Sequence, residues 1–311
     1  MSAVEASLAT AVLSGTPLLY AALGELLSEK AGTINIGLDG MMLIGAMVGF
    51  MVAFDSGSIV LGLFGGAGAG LVFALIFFAL PVLAFRADQI LVGFALWLLG
   101  LGLSAQVGQD YAGRTLHVNM AELKIPLLHE IPFVGTILFE QVWPVYAGVL
   151  VALAAAYILR RTRYGLNLRA VGEDSSAAYA MGLNVEVWRA AHIALGGLLA
   201  GFGGAMLSTI IAATWREEMT AGRGWVALAL VIFAAWRPIS LILASLLFGF
   251  FLILSNLGQI YDWGIPSSIL GMAPYVVTLV ILGARSWFEL KRGARPRVPG
   301  GLGVPFVRGS R

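Results

Sequence analysis

Arg160-Arg161-Thr162-Arg163-Tyr164-Gly165 and, six residues further on, Gly172-Glu173-Asp174-Ser175-Ser176-Ala177-Ala178-Tyr179-Ala180-Met181-Gly182 interrupt an otherwise apolar chain near its middle. Acidic residues at the start suit the positive end of a helix dipole, and a closing glycine suits a left-handed turn. Residues 172–182 therefore read as a small helix lying outside a bilayer. Its alanines offer a slim surface that could enter a groove on a soluble partner. A solvated loop that happens to be helical is the plainer reading of the same residues. The first reading describes the membrane half of a two-component machine, the second says nothing about function.

Around this interruption the 311-residue chain is 59% hydrophobic and only 12% charged, with a mean hydropathy of +0.90. A water-soluble domain of this size needs far more charge to cover its surface. The chain reads as an integral membrane protein. A net charge of +2 gives no reason to expect a nucleic-acid partner, and the absence of cysteine excludes disulfides, thiolate ligands and thiol nucleophiles. No basic stretch precedes the first apolar run, so a cleavable signal peptide is not expected.

Apolar runs at 8–27, 34–54, 58–80, 88–108, 142–160, 191–213, 225–236, 239–256 and 267–283 are candidate spans. The run at 225–236 rises only roughly 18 Å as helix, against a hydrocarbon core of about 30 Å. It is either a half-helix or continues through Gly222-Arg223-Gly224. The expected fold is all-α, a polytopic transmembrane helical bundle of eight or nine spans with interrupted helices, over residues 1–290. Residues 109–141, with Pro126 and Pro132, are expected to form an external cap. The Arg-, Pro- and Gly-rich tail, 291–311, is expected to be disordered.

Basic residues set the orientation. With loops 28–33, 86–87, 160–190 and 237–238 and the tail from 284 on the cytoplasmic side, 15 of the 19 basic residues lie inside. The N-terminus is then outside and the C-terminus inside.

Small residues repeat at helical spacing: Gly62, Gly66 and Gly70; Gly45 and Gly49; Gly197 and Gly201. Such faces let helix backbones approach closely. Two polar features sit among the spans. Asn35 and Asp39 lie four residues apart, where bracing a broken helix and contacting a substrate are equally open readings. Gly222-Arg223-Gly224-Trp225 fits an interrupted span whose N-terminal amides face a cavity, or else an ordinary outer loop with an interfacial tryptophan. Glu25, Glu29 and Lys30 read as interfacial charges. His117, His129 and His192 are scattered, and no metal set or catalytic arrangement is defensible.

A P-loop needs Gly-Lys-Ser/Thr, and the three lysines follow Glu29, Leu123 and Leu290. Any ATP is bound by another polypeptide, and no cofactor is expected in this chain.

Several stretches resemble the inner-membrane permeases of bacterial ABC importers, in the branch serving ribose-type sugars, nucleosides and branched-chain amino acids. They are Thr16-Pro17-Leu18-Leu19-Tyr20 through Gly32, Ile34-Asn35-Ile36-Gly37-Leu38-Asp39-Gly40-Met41-Met42, Ile125-Pro126-Leu127-Leu128, Gly165 through Asp174 followed by Ala177-Ala178 and Gly182, and Thr220-Ala221-Gly222-Arg223-Gly224-Trp225. The likeness covers roughly 16–285, and the pattern is most similar to the nucleoside permeases. The resemblance implies a pathway between two permease subunits, often paralogues. It further implies a separate ABC ATPase below, an extracytoplasmic substrate-binding protein above, and no chemistry on the substrate.

Residues 172–182 would then be the ATPase-coupling helix. Glu173 and Asp174 would set its start and Ser175 would stand in its first turn; Ala177 and Ala178 would allow close approach, and Gly172 and Gly182 would mark its bounds. Asn35, Asp39, Phe94, Trp97, Ser104, Gly222, Gly224 and Trp225 are the candidate pathway residues. Aromatic faces with few buried charges suit a neutral nucleoside or sugar better than a zwitterionic amino acid. A secondary transporter or channel is the competing class, and would want ionisable groups deep in several spans.

Overall fold

In the computed structural model of the protein, residues 3–126, 128–266, isolated positions between 269 and 287, and 298–306 are described. Helix α1 (Ala3–Lys30) runs for 28 residues, and an irregular link leads to α2 (Leu38–Ser56). A tight turn at Gly57 opens α3 (Ile59–Ala74), which widens into a π-helix at Leu75–Ala84. Pro81 lies inside that wide stretch, where it has no N–H to give and its ring crowds the preceding turn. Helix α4 (Gln89–Gly108) follows, its first amides at Ile90 and Leu91 capped by the Asp88 carboxylate at 2.9 and 3.0 Å.

The stretch 109–142 is a cap with its own small structure. Strand β1 (Glu122–Lys124), helix α5 (Val134–Leu138) and strand β2 (Glu140–Val142) lie in it, the strands antiparallel with Glu122 opposite Val142. Lys124 and Glu140 close the ribbon at 3.4 Å. Then come α6 (Trp143–Arg161), α7 (Arg163–Glu173), α8 (Ser175–Ala180) and α9 (Val185–Met206), the last continuing as a π-helix to Ile211. Helices α10 (Arg223–Phe233) and α11 (Pro238–Ile260) complete the labelled elements.

Helix α1 packs against α9, α10 and α11, while α2, α3 and α9 form a second tight group with α4 on its flank. The expected glycine faces meet here. Gly66 and Gly45 touch, as do Gly70 and Gly197, and a Cβ on Gly62 would lie 2.5 Å from the Gly49 carbonyl oxygen. Three helices can approach this closely only where no side chain intervenes.

Among the described residues, six helices are long and apolar enough to cross a membrane: Val4–Lys30, Leu38–Ser56, Ile59–Ala84, Gln89–Tyr111, Trp143–Arg161 and Val185–Ile211. Two shorter apolar helices follow, Arg223–Phe233 and Pro238–Leu254. The expected eight or nine spans are thus six by length and composition. The expected span at 267–283 lies partly outside the described residues; those described within it, 269–273, 276–277, 279–280 and 283, are helical.

Of the tail expected to be disordered, 291–297 and 307–311 lie outside the described residues, and the described part departs from expectation. Residues 298–306 are docked on the body rather than loose: Gly301 N–H donates to the Gly172 carbonyl at 2.9 Å, and Gly303 N–H to that of Gly32 at 3.2 Å. Phe306 lies 5.5 Å from Tyr179, ring to ring. Composition signals disorder only when nothing apolar is available to bury, and Leu302 and Phe306 both find a partner surface.

Candidate functional site

Two assemblies hold the candidate residues. The first is the junction of α2, α4 and α10. Residues 216–222 run irregularly, with positive φ at Glu218, Ala221 and Gly222, and then α10 begins. Eleven residues give α10 a length of roughly 16 Å, about half a hydrocarbon core. At its far end Trp236 donates its indole N–H to Glu29, close to Lys30 at the end of α1. Helix α10 is therefore a half-helix whose N-terminus is buried in the bundle. Its exposed amides need an acceptor there.

Asp39 supplies it. The carboxyl accepts from Gly224 N–H at 2.8 Å and from the Thr220 hydroxyl at 3.1 Å. Gly224 is indispensable to the contact, since a Cβ would overlap the Asp39 backbone. Asn35 braces the same link one turn earlier: its own N–H donates to Glu25 at 2.8 Å and its side-chain oxygen accepts from Gly37 N–H at 3.0 Å. Of the two readings open for Asn35 and Asp39, these contacts are those of a brace.

Aromatic side chains flank the junction. Trp97 stands edge-on to Trp225 at 5.7 Å and packs on Phe94 at 5.4 Å, with its indole beside Asp39. Phe94 is half exposed, on the outward side of α4. The structure thus brings together Asp39, Phe94, Trp97, Gly224 and Trp225, with Gly222 at the α10 cap and Asn35 adjoining. Ser104 is not part of the cluster. It lies two turns along α4 from Trp97, buried, with its hydroxyl on the Leu101 carbonyl at 3.1 Å.

The second assembly is the loop between α6 and α9. The expected single helix over 172–182 is two elements. Gly172 and Glu173 end α7, and Asp174 caps α8 by accepting from Ser176 and Ala177 N–H at 3.0 and 2.9 Å. Glu173 therefore ends one helix instead of starting the other, because Asp174 takes extended backbone angles between them. Gly182 has φ +88°, as a left-handed turn requires.

Ala178 faces inward, packed with Val171 and Val185, while Ser176, Ala177, Ala180 and Met181 face outward. Arg189 ties the assembly down. Its guanidinium donates to the carbonyls of Ala31 and Val304 at 3.2 and 2.9 Å and to the Ser175 hydroxyl at 2.9 Å. Gly172 lies directly on the Lys30 carbonyl.

Sequence reasoning missed four of these residues. Thr220, Arg189 and the pair Glu25 and Glu29 are all buried within the protein. The i, i+4 spacing of Glu25 and Glu29 was the available signal for a shared inner face.

A family profile described as branched-chain amino acid transport system, permease component, matches residues 7–284. The chain belongs to this permease family. Over 286 residues the permease is 37% identical to the nucleoside ABC transporter permease protein NupC of Lactococcus lactis, covering 88% of this chain and 90% of the relative. It is 35% identical over 310 residues to the guanosine ABC transporter permease protein NupQ of Bacillus subtilis, covering 95% and 94%. The putative glucose ABC transporter permease protein TsgC13 of Haloferax volcanii is 36% identical over 253 residues, covering 80% and 76%. No solved structure matches the permease.

Proposed function

We propose that this permease is the membrane-spanning subunit of an ABC importer that moves nucleosides across the cell membrane, with simple sugars as the runner-up cargo. The observation that carries the substrate reading is the similarity, over 88% and 95% of the chain, to relatives named for nucleoside and guanosine transport. Flat aromatic faces at Phe94, Trp97 and Trp225 suit a purine or pyrimidine base. The frame around Asp39 would hold α10 in place while cargo passes along the exposed side of α4, the least buried of the six long helices. That exposed side leaves room for a second permease subunit, a paralogue, to complete the pathway.

ATP is hydrolysed by a separate ABC ATPase docking on α8, and an extracytoplasmic binding protein delivers cargo. The outward residues Ala177 and Ala180 of α8, with Met181 just past its end, form the contact. Motion there reaches α1 through Gly172 on Lys30 and reaches α9 through Arg189 on Ser175. With loops 160–190 and the C-terminus in the cytoplasm and 109–141 outside, the basic residues obey the positive-inside rule.

Uptake of radiolabelled guanosine, uridine, ribose and leucine by cells with and without the gene tests the cargo. Loss of guanosine and uridine uptake alone is expected. Loss of ribose or leucine uptake with nucleoside uptake unchanged would overturn it.

A further inference from the structure

Helices α6 and α11 form a seam that holds two cavities of opposite character. At the end of the bundle bearing Lys30, a cleft of about 660 Å³ is lined by Lys30, Arg160, Arg169 and Arg237, with Glu173 as the one carboxylate. Ala156 and Leu159 of α6 and Pro238 of α11 form its apolar floor. Further along α6 and α11 lies a second cavity of about 440 Å³, lined almost wholly by apolar side chains: Leu150 of α6, Ile242 and Leu246 of α11, Leu19 of α1, and Leu138 and Phe139 of the 109–142 stretch. From Ala156 to Leu150 is roughly 9 Å along α6, and from Pro238 to Ile242 roughly 6 Å along α11. The two cavities share no lining residue and follow one another along the same pair of helices.

Charge makes the first cavity specific. Four cations and one carboxylate line it; Lys30 also stands beside the Glu29 carboxyl, and Glu173 already accepts from Gly300 N–H at 3.3 Å. Arginine forks match the paired oxygens of a phosphate. The second cavity has almost nothing to offer a polar group and suits a hydrocarbon chain.

We propose that the α6–α11 seam is a binding site for one anionic phospholipid, with the phosphodiester head in the Lys30–Arg160–Arg169–Arg237 cleft and an acyl chain in the apolar cavity beyond. The site is separate from the Asp39 junction and does not depend on which cargo is carried. A cleft of this charge at the end of a membrane helix pair is where an acidic headgroup is held most strongly.

Native mass spectrometry of the full-length chain, released from detergent with added lipid, tests this. Phosphatidylglycerol is expected to remain bound where phosphatidylcholine of the same chains is lost. Arg160→Ala and Arg237→Ala are each expected to weaken retention roughly fivefold, and together roughly 25-fold. Arg160→Lys should keep most of the binding, which separates a charge effect from loss of fold.

Ile242→Trp fills the apolar cavity without touching the cleft and should also reduce retention. Equal retention of the two lipids, or full retention in the double variant, overturns the proposal. A cleft that takes inorganic phosphate as readily as lipid, with Ile242→Trp inert, would make it a phosphate site and equally overturn it. If the lipid is displaced by a purified ATPase subunit in a salt-dependent manner while Ile242→Trp changes nothing, the cleft is a protein docking surface instead.

Discussion

Replacing Asp39 by alanine should release the buried start of α10. Two hydrogen bonds disappear, from Gly224 N–H at 2.8 Å and from the Thr220 hydroxyl at 3.1 Å. A buried donor left unpaired costs about 1–3 kcal/mol. The Thr220 hydroxyl can turn to another acceptor, so its share falls at the low end, whereas the Gly224 amide is fixed by the backbone. The sum is roughly 2–4 kcal/mol.

Asparagine at the same position keeps a carbonyl oxygen for Gly224 and a polar group near Thr220. It forfeits only the favourable placement of an acidic group at a helix start, about 0.3–1 kcal/mol. Thermal inactivation of the purified protein in detergent reads the difference. At about 2–4 °C per kcal/mol for large domains, D39A should melt roughly 4–16 °C lower and D39N within about 4 °C of the parent.

A double substitution sharpens the test. Thr220→Val should cost stability in the parent and little more in D39A, because the pair acts as one unit. Indistinguishable melting of D39A and D39N, or strictly additive effects of D39A and T220V, would refute the capping argument. Loss of transport in D39N at unchanged melting would move Asp39 from the frame to the cargo.

On the exposed face of α8 and just past its end, Ala177→Trp and Met181→Glu should lower cargo-stimulated ATP hydrolysis of the assembled transporter several-fold while melting stays unchanged; normal stimulation in both would remove α8 from the coupling surface. Ala178→Trp is expected to act differently, as a loss of stability, since Ala178 is packed on Val171 and Val185 and has no room to grow. Gly182→Val forces a β-branched residue to φ +88° and should cost about 1–2 kcal/mol, seen as earlier melting and faster proteolysis near 182. Removing residues 298–311 takes the Val304 carbonyl from Arg189 and the Gly301 amide from Gly172, so limited proteolysis should cut 174–184 sooner than in the full chain. Cysteines placed at 175 and 120 of this cysteine-free chain should be labelled by an impermeant reagent in intact cells only at 120, and the reverse pattern would invert the topology.

How much of this was legible in the sequence depended on the range of the interaction. Helix type, the close-packing glycines and the break at Gly222 follow from local pattern, since a glycine face and an apolar run of 12 residues carry their meaning alone. The half-helix could be read because a length in residues converts directly to ångströms. Partners could not. Nothing local says that Asp39 meets Gly224, 185 residues away, or that Arg189 reaches Ala31 across 158. Glu173 was misplaced for a related reason: two adjacent acids both favour a helix start, and only the extended backbone at Asp174 decides which one caps.

The placement of the ionisable groups bears on what powers the molecule. A carrier coupled to ions needs groups inside the spans that can release and regain an ion or proton as the cycle turns. Here Asp39 holds an amide in the first turn of a half-helix, Glu29 accepts from Trp236 just past the other end of that half-helix, and Arg189 is spent on two carbonyls and a hydroxyl. Titrating any of them would loosen a junction between helices, which makes them frame and not fuel. In the proposed function the energy that moves such a frame enters from outside the spans. On that proposal helix α8 is the surface for that entry: its outer face is exposed, its inner face is packed through Ala178, and Ser175 is fastened through Arg189 to the link that leads from α1 to Asp39.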